Sequence, residues 1–257
     1  MNIRALFFDI DGTLVGRDKK PSASTLQALH MAREKGVKIF VATGRPTEMA
    51  VQLRDIFDFD AILCMTGQYA LDRENKLIYD LPLDKDDIRL MMQIHEKDPF
   101  PCLVVEGERC FTTMQTEFMR EHWAKFDLPI PKLYDISRIE EHDVYQLITY
   151  DPETSNPKLA PLHHIRITNA ATFCHDVIPE NGGKHVGIRN VAALYGIEKD
   201  EIMVFGDGKN DVDMLTHAGF GVAMGNACPE AKAAADYITD DVDEDGVFNA
   251  LRHFGVI

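Results

Sequence analysis

Short unbroken apolar runs alternate with longer amphipathic stretches along the first part of the chain. Residues 3–10 (IRALFFDI), 37–45 (VKIFVATGR) and 61–65 (AILCM) are dominated by consecutive apolar positions. That is the pattern of strands buried on both faces of a parallel sheet. Between the first two, residues 22–36 (SASTLQALHMAREKG) space apolar positions as a helix does, with serines at the start and Gly36 at the end. Residues 46–57 (PTEMAVQLRDIF) predict a second helix, opened by Pro46. Short connections between such units predict crossover helices on a parallel sheet.

From about Leu83 to Glu180 the pattern changes. A charged helix is predicted over Asp84–Asp98, a hairpin over residues 102–113 (CLVVEGERCFTT) and a further helix around Gln115–Phe126. Alternating strands are predicted at 144–151 (VYQLITYD), 163–169 (HHIRITN) and 171–179 (ATFCHDVIP). Strand–helix alternation then resumes. Residues 184–197, 210–219, 229–236 and 246–255 predict helices, and 201–208 (EIMVFGDG), 220–225 and 237–239 predict strands. The expected architecture is α/β: a Rossmann-like parallel-sheet core from residues 1–82 and 182–257, interrupted by an inserted α+β unit at 83–181.

Chemistry enters at the ends of the strands. The first run closes on two carboxylates, Asp9 and Asp11, one residue apart. Burying one is expensive, and a close second adds repulsion, so either the pair is turn chemistry at the surface or something positive sits between them. Ligands of open parallel sheets collect at the carboxyl ends of strands. Four distant segments fall there: Asp9-Ile10-Asp11-Gly12-Thr13, Thr43-Gly44-Arg45, Lys184, and Gly206-Asp207-Gly208-Lys209-Asn210-Asp211. Each alone reads as an ordinary turn or helix cap. Together they supply the carboxylates, hydroxyl and lysine that a Mg²⁺-assisted phosphoryl transfer needs.

Composition narrows the partners. The 257 residues carry a formal charge of −15, which opposes a nucleic-acid partner and leaves a small phosphorylated metabolite compatible, given local donors or a cation. Five cysteines without C-x-x-C spacing read as free thiols of a reducing compartment. No run approaches a membrane span, and the N-terminus lacks a signal-peptide layout, so a soluble cytoplasmic protein is expected.

The segments DIDGTL, ATGR, GGK and GDGKNDVDML, in that order with a large insertion between the second and third, resemble the haloacid dehalogenase superfamily, and the placement of the insertion resembles its Cof-type phosphatases. The resemblance implies a phosphatase in which Asp9 is the nucleophile, forming an aspartyl-phosphate, and Asp11 the general acid and then base. It implies Mg²⁺ held by Asp9, the Asp11 backbone carbonyl and Asp207, with Asp211 in support. Thr43 and Lys184 would hold the transferring oxygens, and Asn210 would contact the phosphoryl group or order the loop. Gly12 and Gly44 would bring backbone N–H groups close, and Arg45 would stand near the site. The insertion would be a mobile cap that closes over the substrate. Asp11 would start protonated, through repulsion from Asp9, Asp207 and Asp211. A phosphomutase, or a phospho-receiver module, would use similar groups.

Two positions depart from that pattern: His185 follows the lysine, and Thr66-Gly67 ends the third strand. Asp241-Val242-Asp243-Glu244-Asp245-Gly246 imitates a calcium loop, but Arg252 stands at its twelfth position, so calcium is not expected. His163 and His164 would face opposite ways on a strand and could not share a metal. Trp123 reads as helix packing, with a role on the cap face as the alternative, and GGKH is no Walker loop. Glu106, Arg109, Arg120 and His122 are polar candidates for substrate contact within the insertion.

Overall fold

The computed structural model describes residues 2–124, 129–150, 157–171 and 174–257. Its first sheet begins with β1 (Ala5–Phe8), β2 (Lys38–Ala42) and β3 (Ala61–Cys64), connected through α1 (Ala23–Glu34) and the single turn α2 (Thr47–Ala50). Ser22 caps α1, its hydroxyl accepting from the Thr25 N–H, and Gly36 turns the chain back at φ +83°. The helix expected over 46–57 is shorter: α2 yields to a 3₁₀ turn at Val51–Asp55.

The chain then adds two strands that the apolar pattern did not announce, β4 (Tyr69–Asp72) and β5 (Leu77–Asp80), both antiparallel to their neighbours. Asn75, at φ +62°, helps turn between them. After the second unit the sheet is completed by β11 (Ile202–Gly206), β12 (Phe220–Ala223) and β13 (Tyr237–Ile238), giving the order β13-β12-β11-β1-β2-β3-β4-β5. The helices interleaved with these late strands are α5 (Lys184–Leu194), α6 (Val212–His217), α7 (Pro229–Ala234) and α8 (Gly246–His253).

Successive residues of β1 serve opposite faces, and all four are buried. Leu6 and Phe8 join Leu29 of α1 and Leu251 of α8 in one apolar cluster. Ala5 and Phe7 join Ile188 of α5 and Met214 of α6 in another. Helices therefore cover both faces, which is why these strands read as unbroken apolar runs.

The second sheet lies wholly within the inserted sequence: β6 (Cys102–Glu106), β7 (Arg109–Thr112), β8 (Val144–Tyr150), β9 (Ile165–Ala171) and β10 (Cys174–Pro179). Its order is β7-β6-β8-β10-β9, antiparallel throughout. On one face, Ile88 and Met91 of α3 (Lys85–Lys97) meet Val104, Leu147 and Val177. On the other, Met119 and Trp123 of α4 (Glu117–Ala124) join Leu103 and Tyr150. Positions 125 and 126 of the helix expected there, and 172 and 173 of the last predicted strand, lie outside the described residues.

His163 and His164 are not on a strand. They precede β9 in a bend whose two backbone N–H groups donate to the buried Asp87 carboxylate. Asp243 and Asp245 sit in the turn that leads into α8, and Asp245 is its N-cap.

Candidate active site

Strand ends bring the acidic residues together. β1 and β11 are adjacent and parallel, so Asp9 and Asp207, each the residue after its strand, emerge side by side. Lys184 is the first residue of α5 and is fully buried, its ammonium 2.5 Å from Asp9 Oδ1 and 2.6 Å from Asp211 Oδ1. The other Asp211 oxygen accepts the N–H groups of Asp207 and Gly208 at 2.9 and 2.8 Å. Thr13 donates to Asp207 Oδ1. Carboxylate oxygens of Asp9, Asp207 and Asp211 lie within 4.8 Å of one another.

This cluster is electrically unfinished. Burial pushes the Asp9 carboxyl up to about 8 against the pull of Lys184, with Asp211 and Asp207 adding repulsion. Burial likewise carries Asp207 to about 7, with Asp211 adding to it. Burial alone would lower the Lys184 ammonium, but Asp211 and Asp9 override it and raise its pKa. Three acids against one lysine suit a hard divalent cation. The oxygens of Asp211 are already taken by Lys184 and two amides, so Asp9 and Asp207 offer the open ones.

Asp11 does not join its neighbours. Its side chain is 58% exposed and gripped by Arg45, with Nε 2.8 Å from Oδ2 and Nη2 2.5 Å from Oδ1. The immediate partner of this carboxylate is the Arg45 guanidinium rather than the other carboxylates of the site. The bridging lysine falls between Asp9 and Asp211, not between Asp9 and Asp11. Gly12 is required here: at φ +86° its Cβ would stand 2.2 Å from Asp207 Oδ2.

Asp9, Asp11, Thr43, Arg45, Asp207 and Asn210 line one end of a cavity of about 380 Å³, and Gly44 lies among them. The loop after β3 packs behind Thr43 and Gly44. Met65, Thr66 and Gly67 all have positive φ, unusual for a methionine and more so for a β-branched threonine. The Thr66 N–H donates to the Thr43 carbonyl, and its hydroxyl donates to Asp176 Oδ2 at 3.1 Å. Gly67 presses against the start of α5, where a Cβ would lie 2.8 Å from the Gly183 carbonyl oxygen.

Asp176, on β10, escaped the sequence reading. It is 2% exposed, carried up to about 7 by burial, and stands against Gly44. The signal was present: a lone acid between Cys174 and the apolar Val177-Ile178, costly to bury for the same reason as Asp9. Trp123, for which the sequence offered packing or a role on the cap face, is buried in the apolar cluster and also lines the cavity. Glu106 does not; it is buried in an ion pair with Arg138. Arg109 and Arg120 are not among the cavity's lining residues, and the His122 side chain lies outside the described residues.

A family model described as haloacid dehalogenase-like hydrolase matches residues 6–251. The chain belongs to this family. This haloacid dehalogenase-like hydrolase is 34% identical to BT4131, a sugar phosphatase of subclass IIB, covering 99% of its own length and 100% of that chain at a TM-score of 0.89. BT1666 from Bacteroides thetaiotaomicron, from work on the phosphatases of the superfamily, is 32% identical at a TM-score of 0.89, over 99% of this chain and 96% of that one. The 5-amino-6-(5-phospho-D-ribitylamino)uracil phosphatase YcsE of Bacillus subtilis is 27% identical over 99% of this chain and 96% of its own. The hydrolase shares the α/β fold of those structures, and no helix among the described residues is long and apolar enough to cross a membrane.

Proposed function

We propose that the chain is a Mg²⁺-dependent, cytoplasmic phosphatase that releases phosphate from small phosphomonoesters through an aspartyl-phosphate on Asp9. The observation that carries this is a buried carboxylate, Asp9, tied to a buried lysine on one oxygen and facing Asp207 with the other side of its charge unmet. Asp9 and Asp207 would hold the cation, with Asp211 orienting Lys184 and the loop behind them. When bound, the ion neutralises charge on the transferring oxygens.

An Asp9 oxygen bonds to phosphorus as the ester P–O bond breaks, and Asp11 gives its proton to the departing alkoxide. Asp11, now a carboxylate, takes a proton from water as the water oxygen attacks the same phosphorus. The acyl phosphate bond breaks, and Asp9 and inorganic phosphate result. Thr43, Asn210 and Lys184 surround the phosphoryl oxygens, and Arg45 moves from Asp11 onto them, which frees Asp11 to carry its proton. The inserted unit at 83–181 acts as the cap that shuts out water, with the Asp176–Thr66 hydrogen bond as a contact between cap and core.

Phosphate release from a panel of phosphomonoesters, with Mg²⁺ and with EDTA, tests the reading. Turnover should vanish in Asp9→Asn and with chelator. Phosphate release that survives Asp9→Asn would refute the role given to Asp9.

A further inference from the structure

We infer that the preferred substrate is the phosphomonoester of an alcohol carrying a planar, largely apolar ring, and that a wall of Leu103, Ile148, Tyr150 and Trp123 selects it. This deepens the phosphatase reading and rests on it. The cavity is polarised. The core contributes Asp9, Asp11, Thr43, Arg45, Asp207 and Asn210 to its lining, while the second sheet and α4 contribute Leu103, Ile148, Tyr150, Cys174 and Trp123, with Asp176 the one carboxylate among them.

Strand register builds that wall. Leu103 pairs with Ile148 across β6 and β8, and Ile148 pairs with Asp176 across β8 and β10. One step along, Tyr150 pairs with Cys174, two residues from Ile148 and so on the same face. Trp123 packs in the same apolar cluster as these side chains, and all are buried. A bare hexose phosphate would press several hydroxyls against this surface. The wall answers with Asp176, one of whose oxygens already accepts from Thr66, and the polar tips of two aromatic rings. Unmatched hydroxyls are costly there, whereas a flat ring meets leucine, isoleucine and aromatic faces. The cavity, near 380 Å³, has room for a phosphoryl group and such a ring together.

The test compares kcat/KM for benzyl and 2-phenylethyl phosphate with that for glucose 6-phosphate and glycerol 3-phosphate, all but the last esters of larger primary alcohols. At least a ten-fold preference for the ring-bearing esters is expected, and that ratio should collapse in Trp123→Ala and in Ile148→Asn through KM more than kcat. Trp123 is the only tryptophan in the chain, so its emission reports the wall directly. In Asp9→Asn, which holds substrate without turnover, 2-phenylethyl phosphate should shift that emission and glucose 6-phosphate should not. Equal or better hydrolysis of glucose 6-phosphate would overturn this inference and leave the phosphatase reading standing. No phosphate release from any ester would overturn both.

Discussion

The position of Lys184 depends on a contact between two glycines, and one methyl group should break it. Gly187 lies one turn into α5, and a Cβ there would sit 2.4 Å from the Gly67 carbonyl oxygen, against an ordinary contact of 3.4 Å or more. Gly67 is held by the strained loop after β3, so in Gly187→Ala the helix retreats by about 1 Å. Lys184, three residues earlier, lies 2.5 and 2.6 Å from its two carboxylate partners. A shift of that size takes both distances past the ~3.2 Å limit of a good hydrogen bond. Stability should fall as well, because alanine gains about 0.5–1 kcal/mol over glycine within a helix while the overpacking costs about 1–3 kcal/mol and the buried Lys184 pairs weaken with it. Turnover should fall roughly 100-fold, the penalty for a misplacement of about 1 Å in an active site.

Gly196 supplies the contrast. It has φ +63° and open space around it, so Gly196→Ala strains the backbone by about 1–2 kcal/mol without touching the site. Urea unfolding and steady-state phosphate release on both variants check the pair: both should lose stability, and only the first should lose activity. Wild-type turnover in Gly187→Ala would refute the claim that this contact sets the lysine.

In metal-free protein burial holds Asp9 and Asp207 near 8 and 7, well above the roughly 3.9 of a free aspartate, so folding takes up protons between about pH 4 and 8. That stabilisation is present in full below about pH 4 and lost as the pH rises through 7–8; the melting temperature should fall from pH 5 to 8, less steeply in Asp9→Asn, and identical slopes would contradict it. Mg²⁺ should raise the melting temperature more at pH 8 than at pH 5, which thermal scans with and without EDTA will show. Arg45→Lys replaces a two-bond fork by a point charge and should lower kcat/KM about ten-fold; an unchanged value would remove Arg45 from the site. Asp60 is buried and takes hydrogen bonds from Arg33, Lys38, Arg73 and the Ile39 N–H, so Asp60→Ala should cost about 2–3 kcal/mol in urea unfolding with kcat intact.

What the sequence reveals follows from which contacts are local. β1, β2 and β11 are buried on both faces, so their apolar runs announce them, and the residue just beyond β1 or β11 lands at the sheet's edge whatever surrounds it. β4 and β5 were missed because Leu77 and Asp80 are exposed and the run from Tyr69 to Asp80 is broken by Asp72, Arg73 and Glu74. The grip of Arg45 on Asp11 was hidden for another reason: both were visible as site residues, but they lie 34 positions apart and the pairing depends on side-chain directions that the strand pattern does not encode. Asp176 and the apolar wall depend on which face of the second sheet meets the first. Alternation along β8 gives two faces, with Ile148 on one and Leu147 on the other, and only the docking of the sheets says which one meets substrate.

β1 has one neighbour from residues 38–42 and the other from 202–206. During translation, about 200 residues separate the emergence of β1 from that of its second partner, on the order of 10–40 s at typical ribosome speeds. Throughout that interval a fully apolar strand carries a bare row of amides and carbonyls along one side, the configuration that recruits stray chains. Expression yield should therefore depend on chaperone supply and growth temperature more than on the stability of the finished molecule, and fragments ending before residue 202 should collect in inclusion bodies.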